Sequence, residues 1–288
     1  DMAMYLAKEE GRNTYRFFSR ELDERAQRRL QMEVELRQAM DREELVLHFQ
    51  DQVEVANGRV SGVAAQLYWN HPQQGLLSAA AFYSFAEDTG LALPLGVWVL
   101  RNACQKARTW FDQGHPPLRV AVGLSRRQVL DPTLPDQLAT ILEETGLPRR
   151  WLEVEVSESA FQQYPVQTAA AVENLRHIGV GIAIADFGTT FTSVGLLHQL
   201  SVSRLKIGPG LIGSLFIDHE DPTIVRTLFG IARNFNLQIL AEGVRNDRQR
   251  TFLAKLGCET IQGYHLPRPV SEEHWLRFLR GLKPAGMH

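Results

Sequence analysis

The sequence predicts an α/β fold, a (β/α)8 TIM-like barrel. Short apolar strand patterns alternate with amphipathic helical ones from Leu45 onward, and polar residues stand where several of those strands end. Several helical stretches also close on glycine, at Gly146, Gly179 and Gly257, the residue type that suits a left-handed C-terminal position. A doubly wound open sheet is the competing architecture, but the chain has no GxGxxG or GxxxxGK(S/T) phosphate loop to support it.

In chain order, Ser19 is a candidate cap for a long charged helix with Leu22, Ala26, Leu30 and Val34 at four-residue spacing. That stripe lasts too few heptads for a free coiled coil, so it is expected to pack against an adjacent domain. Strands are expected near residues 45–50, 59–68, 118–125, 151–157, 180–186, 203–207, 237–242 and 258–263. The first two are separated only by Ala56-Asn57-Gly58, a hairpin signal, which predicts an antiparallel first strand pair in place of a regular βα unit. Between later strands fall helical patterns, one with Val97, Leu100, Cys104, Ala107 and Phe111, another with Ile224, Val225, Leu228, Ile231, Ala232 and Phe235.

Composition excludes several functions. With 31 Lys and Arg against 33 Asp and Glu, the net charge of -2 argues against nucleic-acid binding by charge, and the pairs Arg126-Arg127 and Arg149-Arg150 read as solvated surface. The two cysteines, Cys104 and Cys258, read as buried free thiols of a reducing compartment, not a disulfide or a zinc site. No apolar stretch reaches the roughly 18 residues of a membrane span. A cytoplasmic domain is expected, cut from a longer parent that has room for a membrane anchor of its own.

The polar strand ends are the candidate site. Ile182-Ala183-Ile184-Ala185 ends in a single acid, Asp186, before the turn Phe187-Gly188-Thr189. Glu155 and Glu158 follow Trp151-Leu152, Lys206 follows Arg204-Leu205, Glu242 follows Ile239-Leu240-Ala241, and Gln262 follows Thr260-Ile261.

The ordered set LHFQ (47–50), GVAAQLYW (62–69), WLEVEVSES (151–159), IADFGTTFTS (184–193), RLKIG (204–208), LAEGV (240–244) and IQGYHLPRP (261–269) resembles the EAL domain family of cyclic di-GMP phosphodiesterases. The resemblance runs from about residue 25 to 285. Residues 1–18, DMAMYLAKEEGRNTYRFF, resemble the end of a GGDEF diguanylate cyclase domain. It implies three parts: a GGDEF remnant over 1–18, a connecting helix over 19–41 and a degenerate EAL barrel over 42–288.

Active members of the family hold two divalent cations, Mg2+ or Mn2+, on strand-end carboxylates and use them to activate a water. Carried over residue by residue, the metal-binding glutamate falls on Ala64, the asparagine on Gly123 and the bridging aspartate on Ala185. Glu155, Asp186 and Glu242 persist, as does Lys206 at the position beside the attacking water. Gly208 replaces a further aspartate, and Glu158 keeps the role of steadying the loop after Asp186. No metal cofactor and no hydrolysis are therefore expected. Each surviving acid also has a structural reading, as a solvated or hydrogen-bonded carboxylate, and Lys206 as its ion-pair partner.

The resemblance likewise implies which residues would hold the dinucleotide. A ligand-contacting arginine falls on Tyr68, a leucine on Gln66 and a proline on Asp51, whose charge would repel a phosphate near the pocket. Gln50, Glu87, Gln262, Gly263 and Tyr264 are retained candidates. Tyr68 reads either as a base-stacking ring or as a satisfied tyrosine facing the helix layer. Losing the arginine removes about 1.5 to 3 kcal/mol of charge-assisted bonding.

Three readings follow. The chain is a non-catalytic regulatory module, a weak cyclic di-GMP receptor, or a residual phosphodiesterase with an unusual metal set; the first is expected. Its partners would be its own GGDEF domain or another signalling protein, with a homodimer formed near residues 191–200.

Overall fold

The structure, a computed structural model, describes residues 20–189, 202–216 and 222–281. Residues 1–18, Ser19 and the 191–200 segment, on which the GGDEF remnant, the helix cap and the dimer expectation rest, lie outside the described residues.

Helix α1 (Arg20–Asp41) leads into β1 (Leu45–Glu54), and the Asn57-Gly58 turn returns the chain as β2 (Val60–His71). Gly58 has φ +72, and the Asn57 side-chain oxygen accepts from the backbone N–H of Arg59, which closes the turn. A short β3 (Gly75–Ser78) folds back on β2, followed by α2 (Tyr83–Thr89) and α3 (Ala92–Asp112). Strand and helix then alternate as β4 (Arg119–Gly123), α4 (Arg126–Val129), α5 (Leu134–Thr145), β5 (Leu152–Ser157), α6 (Glu158–Gln163), α7 (Pro165–Ile178), β6 (Gly181–Ala185) and β7 (Arg204–Ile207). The chain continues through α8 (Pro209–Gly213), α9 (Thr223–Asn234), β8 (Gln238–Glu242), α10 (Asp247–Lys255), β9 (Thr260–Gln262), β10 (Val270–Ser271) and α11 (Glu272–Gly281).

Eight of these strands close a ring in the order β1-β2-β4-β5-β6-β7-β8-β9, with β9 returning to β1. β1 is antiparallel to both neighbours, and every other pairing in the ring is parallel. The expected (β/α)8 barrel with an antiparallel first pair is the fold that forms. β3 and β10 lie outside the ring and were not expected; at four and two residues they are too short to show a period in sequence. The first strand also runs past Gln50 into Asp51-Gln52-Val53-Glu54, because its backbone goes on pairing there with β2 and β9.

Apolar side chains fill the space between barrel and helices. α3 buries Leu95, Val99, Leu100, Ala103, Cys104, Ala107 and Trp110 against it, and Trp69, Trp110 and Trp275 are fully enclosed. Cys104 and Cys258 are buried and unbridged, and burial pushes both thiols up to about 12. Cys258 sits just before β9, its Sγ aimed at the carbonyls of Ile239 and Thr260.

Of the stripe expected on the connecting helix, the side chains of Leu22, Ala26 and Leu30 lie outside the described residues, and Val34 faces away from the core. Val34 is 53% exposed, whereas Leu36 and Ala39 are completely buried, with Met32 packed beside them. At 100° per residue, positions 32, 36 and 39 share one face and 34 lies well away from it. Among the described residues no helix is long and apolar enough to cross a membrane.

Candidate functional site at the barrel mouth

Strand alternation decides what enters the barrel. Ala64 on β2, with Gly123, Glu155, Ala185, Lys206 and Glu242 at or near the C-terminal ends of their strands, lines a cavity of about 620 Å³. One layer deeper, Arg204 pairs with Glu153 at 3.2 Å. In both layers a cation on β7 reaches an acid on β5, although β6 lies between those strands. The crossing passes over Ala183 and Ala185, whose methyl groups leave room for the long side chains.

Lys206 is the centre of the mouth. Its Nζ lies 2.5 Å from Glu155 Oε1 and 2.6 Å from Glu242 Oε1, and the side chain is 1% exposed. Burial disfavours the ammonium form, but the two carboxylates outweigh it and hold the lysine above its usual range. Burial in turn raises the Glu155 carboxyl, against the pull of Lys206.

Asp186 occupies the left-handed region at φ +56, which aspartate tolerates better than most residues. The next residue fixes this: Phe187 N donates to the Lys206 carbonyl, and the Asp186 carbonyl accepts from Thr189 Oγ1 at 2.8 Å. Its carboxylate turns toward Gly208, where a Cβ would stand 3.0 Å from Oδ1. Burial, then the neighbouring Glu242, raises the Asp186 carboxyl. Glu158, 1% exposed, receives the N–H groups of Gly188 and Thr189 at 3.1 and 3.0 Å on one oxygen, which ties down the turn that follows Asp186.

The remaining expected ligand residues divide. Gln66, Glu87 and Gln262 line the cavity. Gln262 is committed to amide partners, donating to Gln50 Oε1 and accepting from Gln52 Nε2, each at 3.1 Å, while Gln50 Nε2 donates to the Leu266 carbonyl. Gly263, at φ +82, lets the backbone pass Gln50; a Cβ there would lie 2.8 Å from Gln50 Nε2. Neither Gln50 nor Gly263 is among the cavity-lining residues.

Three candidate residues are engaged away from the cavity. Asp51 is completely buried and accepts from the backbone N–H groups of His265 and Leu266 at 3.1 and 3.0 Å, so it braces the loop after β9 and does not confront a phosphate in the cavity. Tyr68 stacks on His48 with centroids 4.3 Å apart, and it does not line the cavity. Tyr264 donates to Asp247 Oδ1 at 2.5 Å and carries Arg250 over its ring, on the helix side of the wall.

Other cavity residues escaped the sequence reading. Tyr83, Ser125, Ser157, Ser159 and Gln163 line it, with Arg126 at the rim, 3.7 Å from Glu87 and bonded to Gln163 Oε1 at 3.1 Å. Arg126 is therefore more than solvated surface. Ser125 and Ser157 stand at strand ends, the signal that found the acids, whereas nothing local to Tyr83 marks it.

The donor chemistry does not fit a two-cation centre. Hard cations take about six oxygen ligands, and Ala64, Gly123 and Ala185 present no donor atom from their side chains to the cavity. Two of the three remaining carboxylates already face the Lys206 ammonium.

A barrel with one reversed strand and its polar groups gathered at strand ends is the class of protein that fold and site define. Residues 33–269 match the EAL domain, and the chain belongs to that family. It is 42% identical over 276 residues to the bifunctional diguanylate cyclase/cyclic di-GMP phosphodiesterase MucR of Pseudomonas aeruginosa, covering 96% of this chain and 40% of that protein. To the cyclic di-GMP phosphodiesterase NbdA of the same organism it is 38% identical, over 98% of this chain and 36% of the relative. The chain thus spans about 40% or less of the length of these relatives. Among solved structures, the PaMucR phosphodiesterase in complex with c-di-GMP superposes with a TM-score of 0.81 at 41% identity, covering 85% of this chain and 99% of the other. The EAL enzyme Bd1971, bound to cAMP and cyclic di-GMP, gives 0.82 at 26% identity, over 88% and 69%.

Proposed function

We propose that this EAL domain is a non-hydrolytic regulatory module of cyclic di-GMP signalling, acting through protein contacts on an attached GGDEF domain, on a second copy or on another signalling protein. One observation carries the reading. The three positions that the family resemblance assigns to metal ligands, Ala64, Gly123 and Ala185, all face the cavity without a donor atom, and Lys206 engages the acids that remain. Without a metal to lower its pKa, a water in the mouth is a poor nucleophile toward a phosphodiester.

The test is incubation of the chain with cyclic di-GMP and Mg2+ or Mn2+, followed by chromatography for the linear product. No product above the buffer control is expected. Turnover near an ordinary enzymatic rate, about 1 to 1000 per second, would overturn the proposal.

A receptor role is the second reading, supported by the open cavity with Arg126 at its rim and by the c-di-GMP complex of the 41% identical relative. A volume of about 620 Å³ lies within the roughly 300 to 1,000 Å³ of small-molecule sites. Calorimetric titration decides it: heat that saturates in the micromolar range supports a receptor, and none at high micromolar ligand removes that role. We place the domain in the cytoplasm, in a parent with a GGDEF domain upstream, on the likeness of residues 1–18 to the end of a GGDEF domain.

A further inference from the structure

We infer that Arg126 is a phosphate-binding residue of the barrel mouth: its guanidinium, on the β4 side of the cavity, receives a phosphate group of a nucleotide that enters there. This deepens the receptor reading and rests on it.

The cavity is electrically uneven. Among the described residues that line it, Glu155, Asp186 and Glu242 stand on the β5 to β8 side, and the cations are Arg126 and Lys206. Lys206 is buried between two of those acids, whereas Arg126 stands at the rim beyond the end of β4 and pairs with none of the three. An anionic ligand is therefore repelled by the acid side and drawn to the rim. Tyr68, to which the family resemblance gives a ligand-contacting arginine, stacks on His48 and does not line the cavity, so Arg126 is the guanidinium that a ligand in the mouth meets.

The local fold holds Arg126 for that contact. It opens α4, whose cap is reciprocal: Ser125 Oγ accepts from the Gln128 N–H at 3.1 Å, and Gln128 Oε1 accepts from the Ser125 N–H at 3.0 Å. Gln128 is 2% exposed and lies against Gly96 of α3, where a Cβ would stand 2.0 Å from its Cδ, so the start of α4 is docked on its neighbour. From this base the Arg126 side chain reaches out, 39% exposed, and donates to Gln163 Oε1 at 3.1 Å. Glu87 stands 3.7 Å away, beyond a hydrogen bond, and both side chains reach water, so that pair is loose and screened. The planar fork thus has its direction set by Gln163 and keeps donors for a phosphate, which it can bind through two parallel bonds. Ser157 and Ser159, also on the cavity wall, have their hydroxyls 3.0 Å apart; such a pair uses one proton and leaves the other for a ligand oxygen. Gly123, at the end of β4, leaves its part of the cavity open, with no atom within 4 Å of a Cβ built there.

The test titrates cyclic di-GMP, and guanosine, which carries no phosphate, calorimetrically into the wild-type chain, Arg126→Met and Arg126→Lys, with thermal unfolding of each chain recorded without ligand. The wild type is expected to bind cyclic di-GMP in the micromolar range, more weakly as salt is raised, and to bind guanosine far less. Arg126→Met should bind cyclic di-GMP about 10- to 100-fold more weakly and with a shallower salt dependence, while unfolding at the wild-type temperature, since a rim ion pair contributes little to stability. Arg126→Lys, which keeps the charge without the fork, should lose less than Arg126→Met. Equal affinity of wild type and Arg126→Met, a loss that leaves the salt dependence unchanged, or guanosine binding as tight as that of cyclic di-GMP overturns the role of Arg126 and leaves the receptor reading standing. No binding of cyclic di-GMP by the wild type at high micromolar ligand overturns both. If Arg126→Met does not fold, Arg126→Gln takes its place, and the wild-type comparison with guanosine stands in either case.

Discussion

Glu158 concentrates several bonds on one atom, since a single carboxylate oxygen accepts two backbone N–H groups and lies 3.4 Å from the Thr189 hydroxyl. Bonds to a charged group contribute about 1.5 to 3 kcal/mol. Glu158→Ala should therefore lower stability by about 2 kcal/mol in urea unfolding, and an unchanged midpoint would show that the turn stands without it. The aspartates set a pH dependence. Burial raises the carboxyls of Asp51 and Asp186 above the unfolded value of about 3.9. Between that value and their folded midpoints the folded chain binds more protons than the unfolded one. Their contribution to stability therefore grows as pH falls through that window and is lost as pH rises through the folded midpoints. Urea unfolding at pH 4 and pH 7 should show the Asp186→Asn chain gaining less, or losing more, than wild type on acidification; an identical difference in both chains would refute it.

At the scale of elements, the connecting helix is fastened to the hairpin that forms one wall of the mouth. His71 Nδ1 accepts from the backbone of Gln73 and Gln74, which leaves Nε2–H to donate to Glu35 Oε2 at 3.2 Å. Trp69 Nε1 donates to Glu44 Oε2 at 3.0 Å, just beyond the helix end. His71→Ala should loosen that attachment, costing about 1 to 2 kcal/mol, and amide exchange over residues 32–41 should quicken more than in β5 or β6. Equal change in all three would place the effect elsewhere. The strands and their order were legible in sequence because apolar runs closed by turns need no distant partner to be recognised. The buried face of α1 over residues 32–39 was not, since a charged helix with scattered apolar residues offers more than one face and its neighbour chooses between them.

For the whole molecule, the barrel interior is shared between small residues on β4 and β6, Ala121, Gly123, Ala183 and Ala185, and long polar ones on β1, β5 and β7. Such a lumen holds together by spanning ion pairs and amide chains where an ordinary one packs aliphatic layers. Restoring Ala64→Glu, Gly123→Asn and Ala185→Asp together should recover Mn2+ binding, measured by calorimetry, if the barrel backbone has kept its course; Gly123 has free space for the new side chain. Failure of a folded triple variant to bind would mean that the walls themselves have moved.

The amino-acid sequence by itself determined the order of the strands, the reversal of the first one and the absence of donor atoms at Ala64, Gly123 and Ala185, because these depend on residue type and local period. Only the tertiary structure decided what each polar side chain answers to. Gln50 meets Leu266 across 216 positions, Asp51 braces a loop that far away, and Lys206 takes both glutamates at once. A buried polar group must find its partner wherever closure of the barrel places one, and that choice is not encoded in the neighbours of the residue along the chain.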